Sequence, residues 1–93
     1  MITGFADKKT ESFFRRGTPP REWRAVANVA KRKLDMLDAA VLLGDLRAPP
    51  GNCLELLKGD RKGQHSIRVN DQWRVCFVWT KQGPSRVEIV DYH

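Results

Sequence analysis

Residues 65–80 read HSIRVNDQWRVCFVWT, and the alternation within them decides the fold. Trp73, Val75, Phe77 and Trp79 recur at every second position, the period of a strand that buries one face. Ile67 and Val69 continue that alternation upstream, and the Asn70-Asp71-Gln72 step between them has the residue types of a turn. A hairpin follows, with Val69 opposite Trp73. A slip of one residue would turn every one of these apolar side chains to water, so the face is well specified. Downstream, Lys81-Gln82-Gly83-Pro84 is a second turn and SRVEIVDYH (residues 85–93) a third strand. Val87 and Ile89 match the same face when Val87 sits opposite Trp79. The second half of the chain is therefore expected to be an antiparallel meander.

The same registers dictate the other face. They place Arg68 opposite Arg74 and Arg74 opposite Tyr92, in a row across the sheet at the end where Asp91, Tyr92 and His93 lie. Two like charges directly opposite on a sheet cost stability. Either Glu88, Asp91 or water relieves the pair, or it awaits an anion, which the planar arginine fork matches well when the anion is a phosphate. Lys58, Arg61 and Lys62, in the loop LKGDRKGQ (residues 57–64), are placed to rim the same concavity.

The first half is helical in pattern. Ile2 to Ala6 is a short strand candidate. Asp7 caps a turn or two of helix through Phe13, Phe14 and Arg16, which Gly17 ends. A long helix is then expected from an N-cap at Thr18, with prolines in its first turn, to Gly44. Trp23, Val26, Ala30, Leu34, Leu37 and Val41 form its apolar stripe. Pro49, Pro50 and Gly51 make the connector to the strands. Strand, helices, then a meander add up to an α+β fold, with helices packed on one face of the sheet. The expected organisation is a single domain over residues 1–93.

Composition narrows the function. Seventeen Lys and Arg against 11 Asp and Glu give a net charge of +6, suited to a polyanion such as nucleic acid. Cys53 and Cys76 are too few for a disulfide scaffold and lack metal-ligand spacing. No apolar signal core opens the chain and no run is long enough to span a bilayer, so a cytoplasmic setting and no membrane role are expected.

The residues LLKGDRKGQHSIRVNDQWRVCFVW (56–79), followed by VEIVDYH (87–93), resemble the HigB family of bacterial type II toxin–antitoxin systems, within the RelE superfamily. The resemblance covers most of the chain and is most specific in its C-terminal half. It implies a RelE-like fold and a small basic ribonuclease that cleaves messenger RNA on the ribosome. It implies a HigA-type helix-turn-helix antitoxin as partner, and operator DNA bound through the antitoxin complex. Residue by residue, it matches Lys58 to a basic group near the scissile phosphate, Arg74 to the family's strand arginine, and Asp91, Tyr92 and His93 to its functional C-terminal triplet. Glu55 stands where some relatives carry a histidine, so a two-histidine mechanism does not carry over intact.

RNA cleavage needs removal of the 2′-hydroxyl proton, charge stabilisation at phosphorus, and a proton for the departing 5′-oxygen. The absence of metal-ligand spacing favours a route without metal or other cofactor. Arg68, Arg74 and Lys58 are candidates to hold the phosphate, with Arg61 and Lys62 extending the RNA-binding surface. His93 is the candidate proton carrier, its unperturbed pKa lying near neutrality. Tyr92 is suited to stacking on a splayed base or orienting the hydroxyl. Asp91 would orient His93 or pin the strand end. Glu55 is a possible base if it faces the same concavity, but the simpler expectation is a carboxylate solvated on the connector. His65 is an unsuited substitute, since its strand parity points it at the helices. The competing class is a basic module that binds nucleic acid without chemistry.

Overall fold

The computed structural model describes residues 1–91; Tyr92 and His93 lie outside the described residues. Two α-helices, α1 (Lys8–Arg16) and α2 (Ala27–Ala39), precede a four-stranded antiparallel sheet in the order β1-β2-β3-β4. The strands are β1 (Glu55–Leu56), β2 (His65–Arg68), β3 (Trp73–Thr80) and β4 (Gly83–Asp91). The α+β arrangement follows the sequence pattern, while β1 is too short to leave a periodic signal.

Helix α1 begins and ends as its sequence dictates. The Asp7 carboxylate accepts from the Thr10 N–H at 2.7 Å, satisfying one of the unpaired donors of the first turn. At the other end Gly17 takes φ +77° and donates its N–H to the Phe13 carbonyl, a left-handed cap open to glycine at little cost. Upstream, residues 2–6 run alongside β4 in parallel, but they form one bridge, Phe5 with Val87, and not a full strand.

The long helix expected from Thr18 to Gly44 is shorter and of two kinds. Arg21–Val26 is 3-10 helix with Pro20 at its start, so Thr18 is not the cap. Val26, at φ −117° and ψ 9°, separates that segment from α2. Helix α2 ends at Ala39, before Gly44, because the Asp45 carboxylate accepts from the N–H groups of Val41 and Leu42 at 3.0 and 2.9 Å. That local bonding offers the backbone an alternative to another helical turn, and the same two bonds lower the Asp45 pKa. Val41 consequently leaves the apolar stripe and stands 80% exposed, whereas Trp23, Ala30, Leu34 and Leu37 are buried as expected.

The core lies between these helices and one sheet face. Phe13, Trp23, Leu34, Leu37, Ile67, Val75, Phe77, Val87 and Ile89 form one cluster. Trp23 packs edge-on against Phe13 and Trp73, with ring centroids 5.7 and 6.2 Å apart, the arrangement favoured by aromatic quadrupoles. Buried Thr10 ties α1 to the sheet, its hydroxyl oxygen accepting from the Ile89 N–H. Among the described residues no helix is long and apolar enough to cross a membrane.

The β2–β3 register is the expected one, Arg68 opposite Arg74. The β3–β4 register is not. Pro84, in place of Val87, faces Trp79, and Val90, in place of Tyr92, faces Arg74. Two causes combine. The β3–β4 turn is tight, with Thr80 paired to Gly83, and a bulge lies between the Cys76–Glu88 and Val78–Ser85 pairs. There Arg86 and Val87 together oppose Phe77, and Arg86 adopts φ +51°. From Glu88 onward the net displacement is two residues, so side chains keep their faces and only their partners change.

Candidate active site

The β2–β3 turn sets the arginine pair. The Asn70 side-chain oxygen accepts from the N–H groups of Gln72 and Trp73 at 2.9 and 2.7 Å, closing the turn as an Asx motif. The Trp73 carbonyl accepts in turn from Val69 and Asn70. With that turn closed, Arg68 and Arg74 project from the face away from the helices.

Two rows cross that face. One runs Glu55, Ser66, Cys76, Glu88 through all four strands, and its neighbour runs Arg68, Arg74, Val90. The Arg74 side chain reaches back over β2. Its Nε donates to the Ser66 Oγ at 2.9 Å and its Nη2 to the Cys53 carbonyl at 2.8 Å. Arg68 turns the other way and pairs with Asp71 of the hairpin turn. Glu88, one of the expected counterions, is instead 3.4 Å from Arg61. Asp91, the other, lies opposite Trp73 and accepts from Gln72 Nε2 at 3.1 Å.

Arg61 thus leans over the row, held also by Gln64 at 3.1 Å. Beneath it Cys76 is fully buried. Burial pushes its thiol pKa up, and Arg61 and Arg74 partly oppose that rise. The structure therefore brings Glu55, Arg61, Arg68 and Arg74 to one sheet face. Lys58 and Lys62, both exposed, line a groove of about 520 Å³ with Leu56, Leu57, Gly59 and Gly63. Glu55, expected on the connector, is a strand residue opposite Ser66. Tyr92 and His93 lie outside the described residues.

His65 is half-buried on the helix-facing side of β2, as its strand parity requires. It stacks on Phe77 with centroids 6.1 Å apart, and its buried Nδ1 has no partner among the described residues. Burial lowers its pKa. Among the described residues, sequence reasoning missed Ser66, the Cys53 carbonyl and Asp71. Asp71 left a signal, an acid three residues after Arg68 in a turn. Ser66 left only its shared parity with Arg74, and a backbone carbonyl leaves none.

A family model described as RelE-like toxin of type II toxin-antitoxin system HigB matches residues 3–93. The chain belongs to the HigB-like toxin family. Toxin HigB-1 of Vibrio cholerae serotype O1 is 45% identical over 80 residues, 85% of this chain and 84% of that protein. Endoribonuclease HigB of Proteus vulgaris is 29% identical over 93 residues, the full length of both chains. An uncharacterized protein of Haemophilus influenzae is 49% identical over 51 residues, 55% of this chain and 50% of that one. The helices and four-stranded sheet are those of a RelE-like toxin, and membership of a type II toxin–antitoxin family implies an antitoxin partner.

Proposed function

We propose that this HigB-like toxin, taking residues 1–93 as one domain, is a ribosome-dependent messenger RNA endoribonuclease. The observation that carries the proposal is the Arg68–Arg74 pair on a sheet face away from the core, with Glu55 two strands from Arg74 on the same face. The name of the Proteus vulgaris relative, Endoribonuclease HigB, supports the same chemistry.

In this mechanism Arg74, Arg68 and Lys58 hold the scissile phosphate and the negative charge that grows on it. Arg61 and Lys62 grip the flanking backbone. The 2′-oxygen attacks phosphorus as its proton passes to a base, and the bond to the 5′-oxygen breaks as His93 gives that oxygen a proton. Glu55 is the base within reach of sheet geometry. Tyr92 stacks on a splayed base or orients the attacking hydroxyl, and Asp91 orients His93 or pins the strand end. Such a sparse set of acids and bases relies on the ribosome to position the substrate, since orientation alone supplies much of a barrier reduction. The setting is the cytoplasm, where a HigA-type helix-turn-helix antitoxin neutralises the toxin and carries the complex to operator DNA.

The test adds purified protein to ribosomes programmed with a defined messenger RNA and maps the new 5′ ends. Cleavage by the wild type and none by Arg74→Ala is the expected result. Binding without cleavage would leave a basic nucleic-acid-binding module, and equal cleavage of free and ribosome-bound RNA would remove the ribosome requirement.

A further inference from the structure

Ser66 presents an anomaly: it is a polar residue, fully buried, on the sheet face that does not pack against the helices. Buried hydroxyls are retained where they make hydrogen bonds, and the Ser66 Oγ accepts from Arg74 Nε at 2.9 Å. The second anchor of Arg74 is equally specific. Cys53 adopts φ +48° and ψ 52°, a left-handed conformation uncommon for a residue with a side chain. That turn brings its carbonyl to within 2.8 Å of Arg74 Nη2.

The Cys53 turn is itself braced. Its N–H donates to the Pro50 carbonyl at 3.1 Å. The preceding Asn52 is fully buried, its Nδ2 donating to the Leu46 and Ala48 carbonyls at 3.1 and 3.2 Å. Lys33 of α2, buried also, donates to the Asn52 Oδ1. A rigid path therefore runs from the helix layer, through the connector, to the guanidinium.

We infer that Ser66 is a positioning residue for RNA cleavage, its hydroxyl and the Cys53 carbonyl together fixing the plane and reach of the Arg74 guanidinium. Two bonds from different nitrogens of one planar group fix its rotation as well as its location. Both of these anchors are uncharged oxygens, whereas the anchor of Arg68 is the Asp71 carboxylate. The inference rests on the proposed role of Arg74 at the phosphate.

A double-mutant cycle in the ribosome-programmed cleavage assay tests it, with thermal melts of each protein. Ser66→Ala should stay folded, melting several degrees below the wild type, leave KM near its original value and lower kcat about 10-fold, roughly the worth of one lost hydrogen bond to a charged group. Lysine has no Nε–H at that point, so in the Arg74→Lys background Ser66→Ala should cost nothing more. An equal loss in both backgrounds, or full activity of Ser66→Ala, would overturn the inference. Proton exchange at the Arg74 Nε–H, followed by NMR with 15N-labelled arginine, reads the same contact without activity. It should be slow in the wild type and faster in Ser66→Ala, and an unchanged rate would refute the clamp. Were Ser66→Ala to unfold, Ser66→Cys keeps a side chain there and substitutes a weak acceptor. Full activity of Arg74→Ala would defeat the functional reading, and the exchange rate would still decide the clamp.

Discussion

Arg68 and Arg74 face each other directly across β2 and β3, yet their guanidiniums diverge. Arg68 pairs with Asp71 in the turn, and Arg74 extends back over β2 to Ser66 and the Cys53 carbonyl. Like charges facing each other on a sheet repel, and divergence lowers that cost. The pair keeps its place on the face while its two members carry different loads.

Arg74→Ala removes no core side chain, so the protein should stay folded while losing toxicity on induced expression. Arg74→Lys should restore part of it, because an ammonium lacks the bidentate fork. Growth curves beside thermal melts check both. Full toxicity of Arg74→Ala, or its unfolding, would show that this face has been misassigned.

Asp71→Asn tests how the repulsion is relieved. Asp71 is fully exposed, so its pairing with Arg68 is screened by salt. The variant should melt slightly below the wild type at low salt and with it at high salt. A gap that persists at high salt would mean that Asp71 shapes the turn instead of balancing charge.

Much of this was legible in the residues themselves. Asp7 and Gly17 mark the ends of α1 because capping is local chemistry. Val69 opposite Trp73, and with it Arg68 opposite Arg74, follows from an apolar alternation that tolerates no one-residue slip. The β3–β4 register was not legible. A two-residue displacement preserves every face, so the apolar pattern fits both registers equally, and the bulge that decides between them sits at Arg86, a residue with no sequence preference for φ +51°. The early end of α2 was hidden for a similar reason: Asp45 acts through two backbone N–H groups, while Val41 continues the helical stripe in sequence alone.

His65 should make stability depend on pH. Burial against Phe77, at a cavity of about 260 Å³ that Leu54 and Leu56 also line, lowers its pKa below the ordinary 6.5. Below that value the unfolded chain binds the proton more readily than the folded one, so stability falls as pH drops from 6.5 toward the folded pKa. Melting temperatures between pH 7.5 and 5, on the order of the range where histidine titrates, should decline in the wild type and less steeply in His65→Phe. That variant also removes the unpartnered Nδ1, and it should keep its cleavage activity. Parallel slopes would place the pH dependence elsewhere.

Gly83 is required by space as well as by its φ of +131°. A Cβ added there would stand 2.3 Å from the Met1 carbonyl oxygen, which is backbone. Gly83→Ala should cost about 1–3 kcal/mol, the usual range for a forced backbone conformation. It should also displace the N-terminal segment that donates from Thr3 to the Pro84 carbonyl. Gly83 pairs with Thr80, six residues along β3 from Arg74, or about 20 Å at strand rise. Cleavage should therefore survive, as measured below the lowered melting temperature. Loss of cleavage in a folded variant would couple the two ends of the sheet.

The triplet Asp91-Tyr92-His93 carries the most exposed prediction. Within the described residues β4 pairs with β3 as far as Asp91 opposite Trp73, and Asp91 accepts from Gln72. Deleting His93 removes an imidazole and no apolar side chain, so it should cost little stability. It should slow cleavage by roughly 10²–10⁴-fold, the ordinary worth of a positioned general acid or base. Deleting Tyr92 and His93 together should abolish toxicity and leave antitoxin binding intact. The ribosome-programmed assay, thermal melts and a pull-down with the antitoxin measure the three quantities on the same proteins. Full activity without His93 would transfer the proton to another group, with Glu55 first in line because it shares its sheet face with Arg74. A collapse of the melting temperature would make the triplet part of the fold, and its chemistry would then have to be sought among Arg68, Arg74 and Lys58.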